Sequence, residues 1–489
     1  MCNCATPTQN NTNHVLPPAK EALTNLNKFR EDIQQCLPRR TRALTGIIDG
    51  ILQFAGPVDC VAHLSLNQNE HHFTSLYKAL SKGQFDKDKL TKLFLKATDR
   101  PGFEPVYNLD TTPYIRPDST VVDGLHMAHI TKRNLKTGAP NDSGWEYQTI
   151  TRQSHKGSSW QGVVCVDRVQ VGTGVDRHKL TSQQIQQVAT WHWEQESTKP
   201  LDKQQSSLFV MDSAHPGTRL THDLRKAGIH ANVLCRVSSR RVYYGTAKEV
   251  PPEDRKAGGT VKHGDKLAVA DPHSNFDFQH TFLHDAYGEV TLFVYKDQHQ
   301  KLVAKVAGFE SYNRSTMPIV PGHLIRVQCK GGKRGMGLWL WYDGQLPEDD
   351  HEKLQYLFTC YSHRFDIEHF FKFCKQTLGL TSPKLSTAAA TDNWVMCVFI
   401  AYNQLLLSRG FVEAVKHPWE KVMSKVRATP GRVKRALLQC WGLLVKNTRS
   451  IEVFYKGGKG REVGSENKKK NKLPTFVAAT RVKKSKKNE

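Results

Sequence analysis

Residues 207–237 constrain the fold more than any other stretch of this chain. SLFVMD reads as a short buried strand ending at Asp212, Pro216-Gly217 opens a helix that runs through Lys226, and ANVLCRV returns as a strand after Gly228. Strand, helix and strand this close together form a β-α-β unit, whose strands lie parallel and whose crossover is right-handed. The chain is therefore expected to be α/β.

Upstream, FEPVYNLD reads as a strand ending at Asp110, GWEYQTIT and QGVVCVDRVQV as two more, and LTSQQIQQVATWHWEQE as a helix. Three strands, a helix and then the β-α-β unit is the order of an RNase H-like sheet, here spanning 101–238. Residues 1–100 read as a helical N-terminal domain, with Pro38 and Pro57 as breaks. DNA contact and plain packing are both open for it. Residues 239–345 are rich in Gly, Pro and short β-type runs (TLFVYKD, KLVAKVAGF, HLIRVQCK, LWLWYDG) and read as an inserted β-rich subdomain. Residues 346–412 return to helix and complete the core. The C-terminal region, 413–489, is basic, and its tail from Lys456 carries twelve Lys/Arg against three acids, which reads as a solvated arm.

Charge narrows the partners. The chain has 489 residues and a net charge of +24, with 70 Lys+Arg against 46 Asp+Glu, a balance that favours nucleic acid. The 11 cysteines form no C-x2-C pair, which argues against a zinc ribbon or a secreted disulfide scaffold. MCNCATPTQN lacks the segments of a signal peptide. Trp394 to Leu407 is interrupted by Asn403 and Gln404 and is too short to cross a bilayer. A cytoplasmic, reducing setting with no membrane partner is expected.

Phosphoryl transfer on DNA needs positioned divalent cations, and hard cations prefer oxygen ligands, so about three carboxylates from separate elements must converge. Asp110 and Asp212 each follow an apolar strand, where open α/β sheets place ligand sites. An Asp at a strand end is also an ordinary turn residue. A third acid lies in YSHRFDIEHFFKFCKQTLG, which reads as one helix stopping at Gly379. There Tyr361, Arg364, Glu368 and Lys375 fall within an arc of roughly 60° on one face. Ile367, Phe370, Phe371, Cys374 and Leu378 form the apolar stripe beside it. A solvated face with an ordinary Arg364–Glu368 pair is the competing account.

The spacing Y-x2-R-x3-E-x6-K at those four residues resembles the signature around the last catalytic acid of the DDE transposases of bacterial insertion sequences. It is most similar to the subgroup whose β-rich insertion separates the second Asp from the Glu. The resemblance extends over about 73–410, including AYNQLLLSRG at 401–410. It implies an RNase H-like core in which Asp110, Asp212 and Glu368 hold two Mg²⁺ ions, with Mn²⁺ as a substitute. Tyr361, Arg364 and Lys375 would contact DNA phosphates. It further implies cleavage at the inverted repeats of the transposon ends, strand transfer into target DNA, and a homodimer on paired ends. Trp339 and Trp341 share one face of LWLWYDG, for base stacking or for the core. Arg236, Arg240 and Arg241 form a second basic cluster for the duplex backbone, or a solvated edge. His71, His72, His192, His215 and His230 read as surface or packing residues. Another RNase H-like nuclease, and a non-catalytic DNA-binding derivative of a transposase, remain open beside this reading.

Overall fold

The structure is a computed structural model. It describes residues 19–441 except 67–70, 101–102, 118, 120–121, 131–140, 155–159, 171–176, 201–203, 248–261, 273–274, 305–308, 332–336, 348 and 413–427. The basic tail expected from Lys456 onward lies outside the described residues.

The described residues open with four α-helices, α1 (Ala19–Gln35), α2 (Thr41–Gln53), α3 (Phe73–Lys82) and α4 (Lys87–Thr98). Each has an apolar stripe at helical spacing: Leu26, Phe29 and Ile33 are buried on α1, and Leu44, Ile47, Ile48 and Ile51 on α2. Pro38 and Pro57 fall between helices, as expected. Asp86 caps α4 by accepting from the Lys89 N–H at 3.1 Å.

The strands β1 (Val106–Ile115), β2 (His126–His129), β3 (Asn141–Gln153) and β4 (Gln161–Arg168) follow, then α5 (Arg177–Glu196), β5 (Ser207–Met211), α6 (Gly217–Lys226) and β6 (Ala231–Val237). A short pair, β7 (Val242–Tyr244) and β8 (Lys266–Ala268), precedes β9 (Phe278–His284), β10 (Gly288–Gln298), β11 (Gly322–Gly331) and β12 (Gly337–Tyr342). The last helices among the described residues are α7 (His351–Ser362), α8 (Asp366–Gln376), α9 (Ala388–Ser408) and α10 (Pro430–Gln439). The β-α-β unit at 207–237 is present, with β5 and β6 parallel.

One large mixed sheet runs in the order β2-β3-β1-β5-β6-β12-β11-β10-β9, with β4 also on β3. Its parallel contacts are β1 with β5 and β5 with β6. Four of the inserted strands therefore extend the main sheet: β12 pairs antiparallel with β6 and carries β11, β10 and β9 onward, while β7 and β8 form a two-stranded sheet of their own. Two runs differ from expectation. FQHTFLH forms β9, while the described residues of KLVAKVAGF are not strand; β10 is already paired on both edges, and Val303 is exposed.

The two faces of the sheet are separate cores. Tyr107, Leu109, Phe209 and Met211 pack under α5 and α6 with Ile185, Val188, Leu220 and Leu224. Val106, Leu208 and Val210 face the other way, onto Leu354, Leu357, Phe358 and Tyr361 of α7. The third core joins α1–α4 to α8, α9 and β4. α9 is buried along most of its length, and its three amides are satisfied: Asn403 bonds both ways to the Val163 backbone, Gln404 accepts from Arg30 at 2.6 Å, and Asn393 donates to the Leu80 and Gly83 carbonyls. No helix among the described residues is long and apolar enough to cross a membrane.

Candidate active site

The sheet register brings the first two acids side by side. Leu109 pairs with Met211 at the end of the parallel β1–β5 ladder, and Asp110 and Asp212 come next on the two chains. Because Leu109 and Met211 face α5 and α6, strand alternation turns Asp110 toward the side where α7 ends. The expected strand end at Asp110 is corrected: β1 continues to Ile115, held by β3 alone. The cause is on the neighbour. Asp212 leaves the ladder to form a turn, accepting from the Ala214 N–H at 2.9 Å ahead of Pro216 and α6. Asp110 thus marks the place where β1 loses its parallel neighbour.

The segment carrying the third acid is not one helix. α7 stops at Ser362, residues His363–Phe365 form a 3-10 turn, and α8 starts at Asp366. Tyr361 and Arg364 are consequently buried, at 0% and 5% exposure, whereas the Glu368 side chain is 60% exposed. The expected stop holds: Gly379 has φ +73°, and Leu380 N–H donates to the Cys374 carbonyl at 2.9 Å.

Asn108, buried two residues before Asp110, donates to Gln161 and to the His363 carbonyl, at 3.1 and 3.4 Å. Gln153 donates to the Cys360 carbonyl at 2.8 Å and to Asn108 at 2.6 Å. These two amides tie the α7 end to the sheet, and sequence reasoning did not single them out. Their signal was a polar residue on the same strand face as Asp110.

Arg364 links the acids. Its guanidinium lies 3.5 Å from Asp110 Oδ2 and 3.6 Å from Glu368 Oε1, and it rests over the Phe365 ring at 4.6 Å and the Tyr361 ring at 5.9 Å. Asp110 is raised to about 6, chiefly by burial and then by the Asp212 charge; Arg364 and the Thr111 N–H oppose, and Glu368 adds a further rise. Lys375 is lowered by burial, against the pull of Asp110. Burial raises Tyr361, while the charges of Arg364 and Arg236 lower it and Asp212 adds to the rise. Asp110, Asp212, Glu368, Tyr361, Arg364, Lys375 and Arg236 therefore lie within one electrostatic neighbourhood.

His215 belongs beside them. It is buried, its backbone N–H donates to the Asp212 carbonyl, and its Nδ1 lies 3.3 Å from Thr181 Oγ1. Burial lowers it to about 4, so it is neutral near pH 7. Of the other singled-out histidines, His72 caps α3, His230 stacks on Trp193 at 3.8 Å, and His192 lies 3.5 Å from Glu196.

Four other residues stand apart from the acids. Arg240 and Arg241 are exposed in the turn after β6, where both backbone N–H groups meet Ser238. Trp341 is fully buried, donates from Nε1 to Thr221 at 3.1 Å, and fits between Gly217 and Gly322, where an added Cβ would lie 2.6 and 2.4 Å from its ring. Trp339 is 9% exposed, packed on Tyr295 at 5.3 Å and under the Arg326 guanidinium. Both tryptophans are placed as core, and Trp341 has no face open to a base.

The donor set is of the kind a hard divalent cation takes: three carboxylates, one of them, Asp110, raised by burial and by the neighbouring Asp212 charge. Among the described residues, no group of three or more His, Cys, Asp or Glu is gathered closely enough to hold an ion as it stands. Arg364 provides the positive charge between Asp110 and Glu368.

Residues 192–404 match the family model described as the transposase DDE domain. No curated protein matches the chain. Among solved structures, a piggyBac transposase synaptic complex with hairpin DNA, determined by cryo-EM, is similar at 10% identity and a TM-score of 0.41, over 86% of this chain and 77% of that one. The matched family segment contains Asp212, Arg364, Glu368 and Lys375 and begins downstream of Asp110. Over residues 192–404, then, the chain is similar to the transposase DDE domain.

Proposed function

We propose that the protein is a transposase that cuts DNA at the ends of a mobile element and joins the freed ends to target DNA, using Asp110, Asp212 and Glu368 as the acids of a single site. The observation that carries this reading is the register that sets Asp110 next to Asp212, with Arg364 reaching from the α7–α8 junction to both Asp110 and Glu368. The strand order β4-β3-β1-β5-β6, three antiparallel strands followed by two parallel ones, supports an RNase H-like core.

The three carboxylates are the residues that would hold divalent cations, Mg²⁺ or Mn²⁺. When bound, such ions supply Lewis-acid charge at the scissile phosphate and lower the pKa of an attacking hydroxyl. The chain's own groups do the positioning. Asp110 is fixed by the sheet on one side and by its Thr111 N–H on the other. Arg364 offers the scissile strand a guanidinium whose direction is set by Tyr361 and Phe365. Lys375 and Arg236 add positive charge for flanking phosphates, and Arg240 and Arg241 extend it along the exposed turn. A homodimer on paired ends and recognition of inverted repeats belong to the same proposal.

The test is an assay with the DNA that flanks the coding sequence on both sides, a target plasmid, and Mg²⁺ or Mn²⁺. Joined products support a transposase. Cutting without joining would assign the site to a nuclease instead.

A further inference from the structure

A cavity of about 330 Å³ opens where β1 begins, bounded by β1, the end of β3 and the last turns of α7. Arg100, Arg152, Ser154 and His363 are among the residues that line it. Arg152 is 4% exposed and paired with Asp99 at 2.7 Å. Among the described residues Arg100 has no such carboxylate: its Nη2 donates to Ser154 Oγ at 3.2 Å. The groups that bear on it electrostatically, Arg409 and Arg152, are both cations, and together with burial, the largest effect, they lower it to about 10. Arg409 lies over the Trp160 ring at 5.2 Å, and its Nε is buried with no partner among the described residues. Glu104 also lines the cavity, but its charge falls on Tyr356 and Cys360.

Two guanidinium groups, Arg100 and Arg152, thus line the cavity, with the charge of Arg409 acting on Arg100, while Asp99 answers Arg152. Withdrawing cations from water is unfavourable unless an anion compensates. Guanidinium pairs well with phosphate oxygens, and Ser154 adds a hydroxyl to the same wall. Val106 lines the cavity, and Asp110 lies four residues further along the same strand, roughly 13 Å away.

The geometry points to a phosphate-binding site in this cavity, in which Arg100, with Arg152 and Ser154 beside it, takes a phosphodiester of the DNA strand whose cut end lies at the acids. That the phosphate belongs to DNA rests on the proposed function; that the cavity takes phosphate does not.

Two arms test it on the full-length chain, with wild type, Arg100→Gln, Arg409→Gln and the distant surface variant Lys82→Gln. The first measures thermal stabilisation by inorganic phosphate against chloride at equal ionic strength. Wild type and Lys82→Gln should be stabilised, and Arg100→Gln should lose at least half of the shift. Both Arg variants reduce repulsion among like charges, and two independent substitutions guard against one misfolding. The second arm measures DNA affinity across salt concentrations, where Arg100→Gln should lower the slope of log K against log salt by about one. An unchanged phosphate shift in a folded Arg100→Gln variant overturns the site. A lost phosphate shift with an unchanged DNA slope overturns the assignment to the DNA backbone. Failure of the catalytic reading shows separately, as absence of cutting by wild type with both arms as expected here.

Discussion

At the scale of single residues, burial decides what each polar group can do. Trp341 was open between base stacking and packing while only its strand alternation was known, since alternation gives the face and not what covers it. Gly217 and Gly322 cover it. Trp341→Ala should therefore cost about 3–5 kcal/mol of stability and leave DNA affinity of the folded protein unchanged, measured by denaturant unfolding and by DNA titration below the melting range. A loss of affinity at full folding would return Trp341 to the DNA. Asp343 makes a pH prediction. It accepts from the Thr221 hydroxyl at 2.8 Å and the Val233 N–H at 2.6 Å, yet burial, the dominant effect, raises it to about 6 from an ordinary 3.8. Between those two pH values the folded state keeps a proton that the unfolded state has released. Stability contributed by this group therefore falls as pH rises from about 4 to about 6 and is level above that, by at most about 3 kcal/mol. Asp343→Asn should flatten that part of the pH–stability curve, and an equally steep fall in the variant would contradict the assignment.

At the scale of elements, the legible parts of the sequence were those with one strong local signal. β5, α6 and β6 fall within a residue of expectation because short apolar strands around a Pro-Gly helix start admit few other structures. β9 was missed because FQHTFLH is half-exposed at the sheet's edge and lacks a continuous apolar run. The break at His363–Phe365 was invisible because no Gly or Pro marks it; it arises from tertiary ties, Asn108 and Gln153 holding the carbonyls of His363 and Cys360. The four-residue signature survived the break because residues on the two sides of the turn still meet at Arg364. The stop at Gly379 was legible because the residue must adopt φ +73°, and an added Cβ would lie 2.1 Å from the Val58 carbonyl. Gly379→Ala should cost more than about 1 kcal/mol, read as a lowered unfolding midpoint, while Gly431→Ala, with no close neighbour inside 3.9 Å, should be nearly silent. Equal midpoints for the two variants would contradict this account of the helix end.

At the scale of the whole molecule, composition pointed to nucleic acid but could not say how the parts associate. The N-terminal helices pack in one continuous core with α8 and α9, so the segment that carries Glu368 is held from both sides, by the sheet through Asn108 and by the helices through Phe370 and Phe371. The insertion lengthens the sheet, a result its Gly- and Pro-rich composition did not disclose. Both arrangements make the acid site a property of the full chain. The register of β1 on β5 is the part on which Asp110 most depends, since the family match starts beyond it. The most direct measurement of the central claim is therefore DNA end cleavage with Mg²⁺ or Mn²⁺ by wild type, Asp110→Asn, Asp212→Asn and Glu368→Gln, each checked for folding and for DNA affinity. The account predicts that all three variants bind DNA as well as wild type and cut it at least about 100-fold more slowly, a loss of about 3 kcal/mol in transition-state stabilisation. Cleavage at wild-type rates by any one of them, Asp110→Asn above all, would contradict it.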